Sequence, residues 1–121
     1  EVAIRAINII WSMTLLKNDP SLNIFVWQVI VCSLEDHRHF LEHNLETSDR
    51  PNNHLLADLL GLAYLELFFT SDIKKDYQTQ LHDIAQKFNK QIADDGTSYE
   101  GSTAYHRLVY EMLTHLRALF D

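Results

Sequence analysis

The stretch that decides the fold is NHLLADLLGLAYLELFF, which occupies residues 53–69. Between Leu55 and Phe69 only Asp58 and Glu66 carry charge. A helix that is apolar on nearly all sides is packed on nearly all sides, so we expect this segment to be the central helix of its domain.

Four further segments with helical spacing of apolar residues flank this stretch. They cover about residues 2–17, 21–45, 72–93 and 102 or 103–120. The segment from Asp72 carries one apolar stripe, formed by Ile73, Tyr77, Leu81, Ile84, Ala85, Phe88 and Ile92. Short linkers make neighbouring helices antiparallel, so the sequence predicts an all-α fold of antiparallel helical hairpins.

Composition narrows the classes of protein. The chain has 121 residues with 46% hydrophobic content, enough for one domain with its own core. Its net charge of −7 argues against nucleic acid as a partner, because that needs a basic surface. No apolar run reaches the roughly 18 residues of a membrane helix, so we expect no membrane partner. The single cysteine, Cys32, cannot form an internal disulfide.

Histidines at positions 39 and 43 are the first candidate site. They are four residues apart on a helix, so they share a face on which they can chelate zinc. His37 points elsewhere, and no second pair with ligand spacing follows. The more ordinary reading is a solvated helix face, and we predict no metal and no cofactor.

The second candidate site is Pro51-Asn52-Asn53-His54, at the start of the apolar helix. One asparagine is enough to cap the free backbone N–H groups there. A second asparagine followed by histidine exceeds what capping requires. Because helix N-termini favour anions, Asn53 and His54 are candidates for receiving a carboxylate or sulfate.

The third candidate site spans residues 99–107, YEGSTAYHR. Ser102 or Thr103 can start the last helix, which would make Tyr105 an ordinary member of its apolar stripe. Tyrosine serves as a base only when cations lower its pKa, and His106 and Arg107 adjoin Tyr105 in sequence. Taken alone, either motif is weak.

Together, two longer stretches resemble the heparinase II/III family of polysaccharide lyases. They are PNNHLLADLLGLAYL at 51–65 and DGTSYEGSTAYHRLV at 95–109. The opening EVAIRAIN, residues 1–8, is similar to the family's start of the same helical region. The resemblance implies that the fold is a slice of an incomplete (α/α) toroid, and that the activity is β-elimination on uronic-acid-containing polysaccharide such as glycosaminoglycan or alginate.

The resemblance also implies roles for particular residues. Asn53 and His54 would neutralise the uronate carboxylate. Tyr105 would remove the C5 proton, donate a proton to the leaving glycosidic oxygen, or do both. Glu100, His106 and Arg107 would support these groups or contact sugar, and Arg5 and Asn8 would line the cleft. If the helix between them runs back, the helices that carry Asn53 and Tyr105 start at the same end.

Family architecture further predicts that residues 1–121 are part of a longer protein, with helices upstream and a β-sandwich domain downstream. We therefore expect the isolated chain to be catalytically silent and to self-associate through apolar helix faces. From the resemblance we expect acidic polysaccharide as the partner and a periplasmic or secreted location for the longer protein. A non-catalytic carbohydrate-binding role and a helical protein-interaction module remain the alternatives.

Overall fold

The structure is a computed structural model that describes residues 1–47, 51–70 and 75–120. Within these ranges the regular elements are helices, and no strand forms beyond one isolated bridge. The helices are α1 (Val2–Leu16), α2 (Ile24–His43), α3 (Asn53–Phe69), α4 (Lys75–Asn89) and α5 (Thr103–Phe120). The predicted all-α class is confirmed. None of these helices has the length and apolar character needed to cross a bilayer.

Helix α3 is central, as its composition predicts. It contacts each of the other four helices, while α1 also packs on α2 and α4 on α5. Leu56, Leu60 and Leu65 of α3 are fully buried. The stripe of α4 faces the same core, because Tyr77, Leu81, Ile84 and Phe88 are also buried. Apolar surface removed from water in this way is the main stabilising contribution to the domain.

Close approach of α1 to α3 explains the glycine inside the central helix. A Cβ atom added at Gly61 would lie 2.8 Å from Ala3 Cβ and 2.9 Å from Ala3 Cα. Both distances are shorter than carbon atoms tolerate, so only hydrogen fits there. Gly61 lowers the helix propensity of α3 but permits this contact.

Helix α2 differs from the prediction at both ends. It begins at Ile24 rather than Ser21, because the Asn23 side chain caps it by accepting the N–H of Phe25 at 3.0 Å. Ser21 instead donates its N–H to the Asp19 carboxylate at 2.8 Å, which holds it in a turn before the helix. The helix also ends at His43, before the predicted Leu45.

Helix α4 ends at Asn89, whereas the apolar stripe predicts a helix to Ala93. The chain turns there into a tight hairpin, in which Ile92 pairs with Ser98 in an antiparallel bridge. Gly96, with φ of +85°, lies at the tip. We call residues 91–101 the hairpin loop. The predicted helix start at Asp72 and the stripe residue Ile73 lie outside the described residues.

Candidate active site at one end of the helical layer

A cavity of about 410 Å³ opens where several helix ends meet. Its walls come from the first turns of α1, α3 and α5 and the last turn of α2. The described residues that line it are Glu1, Val2, Ile4, Phe40, Asn44, Glu46, Asn53, His54, Ala57, Asp58, Tyr105 and Leu108. The three residues that the sequence singles out as catalytic candidates, Asn53, His54 and Tyr105, therefore share one cavity.

Capping of α3 falls to Asn52, which leaves Asn53 for another purpose. The Asn52 carboxamide oxygen accepts the N–H of Leu55 at 2.8 Å. Asn53 is only 5% exposed and lines the cavity. Among the described residues, none is hydrogen-bonded to its side-chain carboxamide, whereas its backbone N–H donates to Glu100 Oε1 at 3.3 Å. A buried amide with free donors is suited to an oxygen-rich ligand.

The His54 imidazole lies beside a carboxylate. Its Nδ1 is 3.1 Å from Glu46 Oε2, and both side chains are well exposed. The backbone N–H of Glu46 donates to Asp58 Oδ2 at 3.4 Å, which fixes the segment after α2 over the start of α3. The imidazole thus adds a second nitrogen-containing side chain to the cavity wall beside the Asn53 carboxamide.

Carboxylates contribute negative charge to the same wall. Burial raises the pKa of Asp58 above its ordinary value, and the nearby Glu46 carboxylate raises it further, against the lowering effect of the Glu46 N–H hydrogen bond. Glu1 also lines the cavity. The cavity wall therefore combines the positive ends of helix dipoles, beside Asn53 and Tyr105, with the carboxylates of Glu46 and Asp58.

Tyr105 reaches the cavity from the first turn of α5. Its backbone N–H is 3.5 Å from Ser102 Oγ, a long capping contact. The side chain is 47% exposed, so the phenol is open to solvent and to a ligand. A half-exposed phenol at the rim can exchange protons with a bound molecule.

The structure does not bring the other predicted residues into this cavity. His106 and Arg107 are exposed, neither is among its described lining residues, and Arg107 Nε binds Glu111 Oε1 at 2.9 Å. Adjacent residues on a helix point in different directions, so their nearness to Tyr105 in sequence does not become contact. Glu100 acts on the site only through the backbone of Asn53.

Arg5 and Asn8 line a second cavity of about 750 Å³ between α1 and α2. Its walls are largely apolar and include Met13, while Glu1 and Ile4 contribute to both cavities. The two cavities are therefore neighbours along α1. The structure thus places Arg5 and Asn8 in this second cavity and not among the described residues that line the cavity of Asn53, His54 and Tyr105.

Exposed side chains of His39, Glu42 and His43 place possible ligand atoms within 4.8 Å of one another. His43 Nδ1 bonds the carbonyl oxygen of His39 at 2.8 Å, and Glu42 pairs with Arg38 at 2.9 Å. The nearby guanidinium competes with a cation for Glu42. The solvated helix face therefore remains the preferred interpretation of these residues over a zinc chelate.

Gln91 is the residue that sequence reasoning missed. It is fully buried, and its side-chain Nε2 donates to the carbonyl oxygen of Pro51. The two residues are 40 positions apart, so no local pattern announces the contact. Asp58 also lines the cavity, and its position one helical turn after His54 is the sequence signal that places both on the same face of α3.

Comparison with known proteins supplies the family. The sequence model described as heparinase II/III N-terminus matches residues 1–119. No curated protein and no solved structure matches the chain significantly. Because the match spans nearly the whole chain, and its helices carry the asparagine–histidine and tyrosine motifs at one cavity, this chain belongs to the heparinase II/III N-terminal family.

Proposed function

We propose that this chain is the helical part of a polysaccharide lyase that cleaves uronic-acid-containing polysaccharide by β-elimination. Family membership supports a lyase parent. The observation that carries the proposal is the shared cavity, in which Asn53 and His54 from α3 meet Tyr105 from α5. A helical interaction module would instead have these side chains dispersed or packed against ordinary core neighbours.

The cavity chemistry suits the difficult step of this reaction. The C5 proton of a uronate is weakly acidic, because the neighbouring carboxylate resists further negative charge. Donors aimed at that carboxylate stabilise the enolate-like transition state. We assign this role to the free carboxamide of Asn53, supported by the positive end of the α3 dipole.

His54 is the proposed second partner of the same carboxylate. In the structure its Nδ1 is 3.1 Å from Glu46 Oε2. A uronate carboxylate bound near Asn53 would compete with Glu46 for this imidazole. Since both side chains are exposed, exchanging one carboxylate for the other costs little.

Tyr105 is the proposed proton-transfer group. Its side chain would take the C5 proton as the phenolate, give a proton to the leaving glycosidic oxygen as the phenol, or do both in turn, while the C4–O bond breaks and a C4–C5 double bond forms. The proposed supporting residue is Glu100, which holds the backbone at Asn53. His106 and Arg107 lie outside the described cavity wall, so we assign them only contacts with sugar units beyond it.

The 121-residue chain alone is expected to bind uronate oligosaccharide without cleaving it. The family resemblance assigns a further catalytic histidine and much of the cleft to a β-sandwich domain. We place the parent in the periplasm or outside the cell on the same ground.

Substitution of Tyr105 by Phe in the protein that joins this chain to its β-sandwich tests the proposal. We expect turnover, followed by the ultraviolet absorbance of unsaturated uronate, to fall by about 100-fold or more while oligosaccharide affinity is kept. The control is Tyr110→Phe, because Tyr110 is an exposed tyrosine of the same helix outside the described cavity wall.

Each outcome separates the alternatives. Retained turnover in Tyr105→Phe would overturn the assigned role of the phenol. Oligosaccharide binding without turnover in the wild-type protein would favour the non-catalytic carbohydrate-binding role. Absence of both binding and turnover would leave the helical interaction module.

A further inference from the structure

We propose that Gln91 is a positioning residue that sets Asn53, and with it the carboxylate-binding side of the cavity, relative to Tyr105. The inference rests on the proposed function, because it assigns Gln91 a role in binding the uronate carboxylate. The hydrogen bonds of Gln91 themselves are features of the fold and do not depend on that function.

Gln91 joins two parts of the chain that are distant in sequence. Its side-chain Nε2 donates to the carbonyl oxygen of Pro51, just before the α3 cap. Its backbone carbonyl accepts the N–H of Tyr99 at 3.0 Å, across the hairpin loop. Gln91 thus makes one hydrogen bond within the hairpin loop and one between that loop and the segment that leads into α3.

Glu100 provides a second link from the same loop. Its carboxylate accepts the backbone N–H of Asn53 at 3.3 Å. Pro51 and Asn53 flank the capping residue Asn52, so the two links hold the α3 start on both sides of its cap. Hydrogen bonds at both points leave the first turn of α3 little freedom to rotate.

The hairpin loop also leads directly into α5. Gly101, with φ of +66°, donates its N–H to the carbonyl oxygen of Ser98 at 3.0 Å and closes the loop just before the helix begins at Thr103. One short segment therefore fixes the starts of both helices, and those starts carry Asn53 and Tyr105. A catalytic pair drawn from two helices requires such a common support, because small displacements cost rate.

Burial of Gln91 is costly for a purely structural contact. The side chain is fully buried, yet its Oε1 has no hydrogen-bond partner among the described residues. A buried acceptor without a partner lowers stability relative to an apolar side chain of similar size. Groups that reduce stability in this manner are concentrated at functional sites.

The test uses Gln91→Met, which keeps the length of the side chain and removes the donor. Gln91→Leu, which also removes the donor without burying a charge, serves if the methionine variant folds poorly. The matched control is Ser98→Ala, since Ser98 is buried in the same loop and its hydroxyl has no partner among the described residues. Affinity for a glucuronate-containing tetrasaccharide is measured by titration calorimetry.

We expect Gln91→Met to weaken binding by about fivefold, the effect of one net hydrogen bond, and Ser98→Ala to leave binding unchanged. Asn53→Ala is measured alone and together with Gln91→Met. If Gln91 acts through Asn53, the double variant binds no more weakly than Asn53→Ala alone. Full additivity, or unchanged binding in Gln91→Met, would overturn the inference.

Hydrogen exchange keeps this inference separate from the proposed function. The Asn53 backbone N–H should exchange about tenfold faster in Gln91→Met than in wild type, and at the wild-type rate in Ser98→Ala. If the wild-type chain binds no uronate, the proposed function loses its support and the exchange rate alone judges the positioning role. An unchanged Asn53 rate in a folded Gln91 variant would end it.

Discussion

The carboxylate of Glu100 accepts a hydrogen bond from the backbone N–H of Asn53 at 3.3 Å, although the two residues are 47 positions apart. The N–H groups of a first helical turn have no partner within the helix, and they form the positive end of its dipole. The Glu100 carboxylate, which lies in the loop before α5, therefore provides a hydrogen-bond acceptor for one of the free N–H groups at the start of α3. This contact joins the two helix starts on which the candidate site depends.

Removal of that carboxylate should destabilise the fold. We expect Glu100→Ala to lower the free energy of unfolding by about 1 to 2 kcal/mol, through a lost charge-assisted hydrogen bond and a lost helix-dipole interaction. Urea denaturation measures the change. The control, Glu111→Ala, breaks an exposed pair with Arg107 and should cost clearly less. Equal costs for the two variants would contradict the prediction.

The Asp58 carboxylate should make stability fall as pH rises. Burial raises its pKa in the folded state, so the folded chain holds this proton more tightly than the unfolded chain. The contribution of protonated Asp58 to the free energy of unfolding is therefore fully present below the ordinary aspartate pKa. It is lost as pH rises through the pKa of Asp58 in the folded state. Asp58→Asn should remove that loss, keep an acceptor for the Glu46 N–H, and strengthen binding of acidic oligosaccharide at neutral pH.

Urea titrations of the Asp58 variant at acidic and at neutral pH measure this effect. The exposed Asp83→Asn substitution on α4 controls for net charge alone. The expected result is a stability gain for Asp58→Asn that grows from acidic to neutral pH. A gain that is the same at both, or equal to that of Asp83→Asn, would refute the argument from burial.

Substitution of Gly61 by Ala should destabilise the packing of α1 on α3. The added methyl group would meet Ala3, including its backbone Cα at 2.9 Å, so a helix has to move. Overpacking costs about 1 to 3 kcal/mol, which outweighs the gain in helix propensity of about 1 kcal/mol. Thermal unfolding measures the net loss. Ala3→Gly added to Gly61→Ala should restore part of it, and an absence of restoration would place the strain elsewhere.

The outer face of α2 should drive self-association. Ile24, Phe25 and Val29 are 75%, 69% and 53% exposed, which is unusual for large apolar side chains so close together. We expect light scattering to detect oligomers of the wild-type chain at high concentration and fewer of Phe25→Glu. Tyr110→Glu, which replaces another exposed aromatic residue on α5, is the control. A wild-type chain that stays monomeric would contradict the prediction.

Sequence patterns located α1, α3 and α5 to within about a residue, the usual uncertainty of helix boundaries. They failed where two local signals competed. Ser21 is a good capping residue, but Asp19 binds it and Asn23 caps α2 instead. Ile92 continues the α4 stripe at helical spacing, yet its backbone lies in the bridge to Ser98, and from there its side chain still packs against the core.

In the candidate site, too, the sequence predicts the residues of short local motifs but not the contacts between residues that are distant in sequence. Asn53 and Tyr105 were found because each lies in a short motif at a helix start. The association of His106 and Arg107 with Tyr105 rests on adjacency in sequence and on the family resemblance, and helical geometry turns both side chains away from the described cavity wall. The bond from Gln91 to Pro51 has no sequence signature, since it depends on how the hairpin loop folds against α3.

The central position of α3 has a consequence for how the chain is made. Because α3 contacts both earlier and later helices, a nascent chain that has reached only Phe69 lacks α4 and α5. Until α4 and α5 have left the ribosome, leucines such as Leu56 and Leu60 are not fully buried. The interval of synthesis between residues 70 and 120 is therefore when this protein is most open to aggregation and to capture by chaperones.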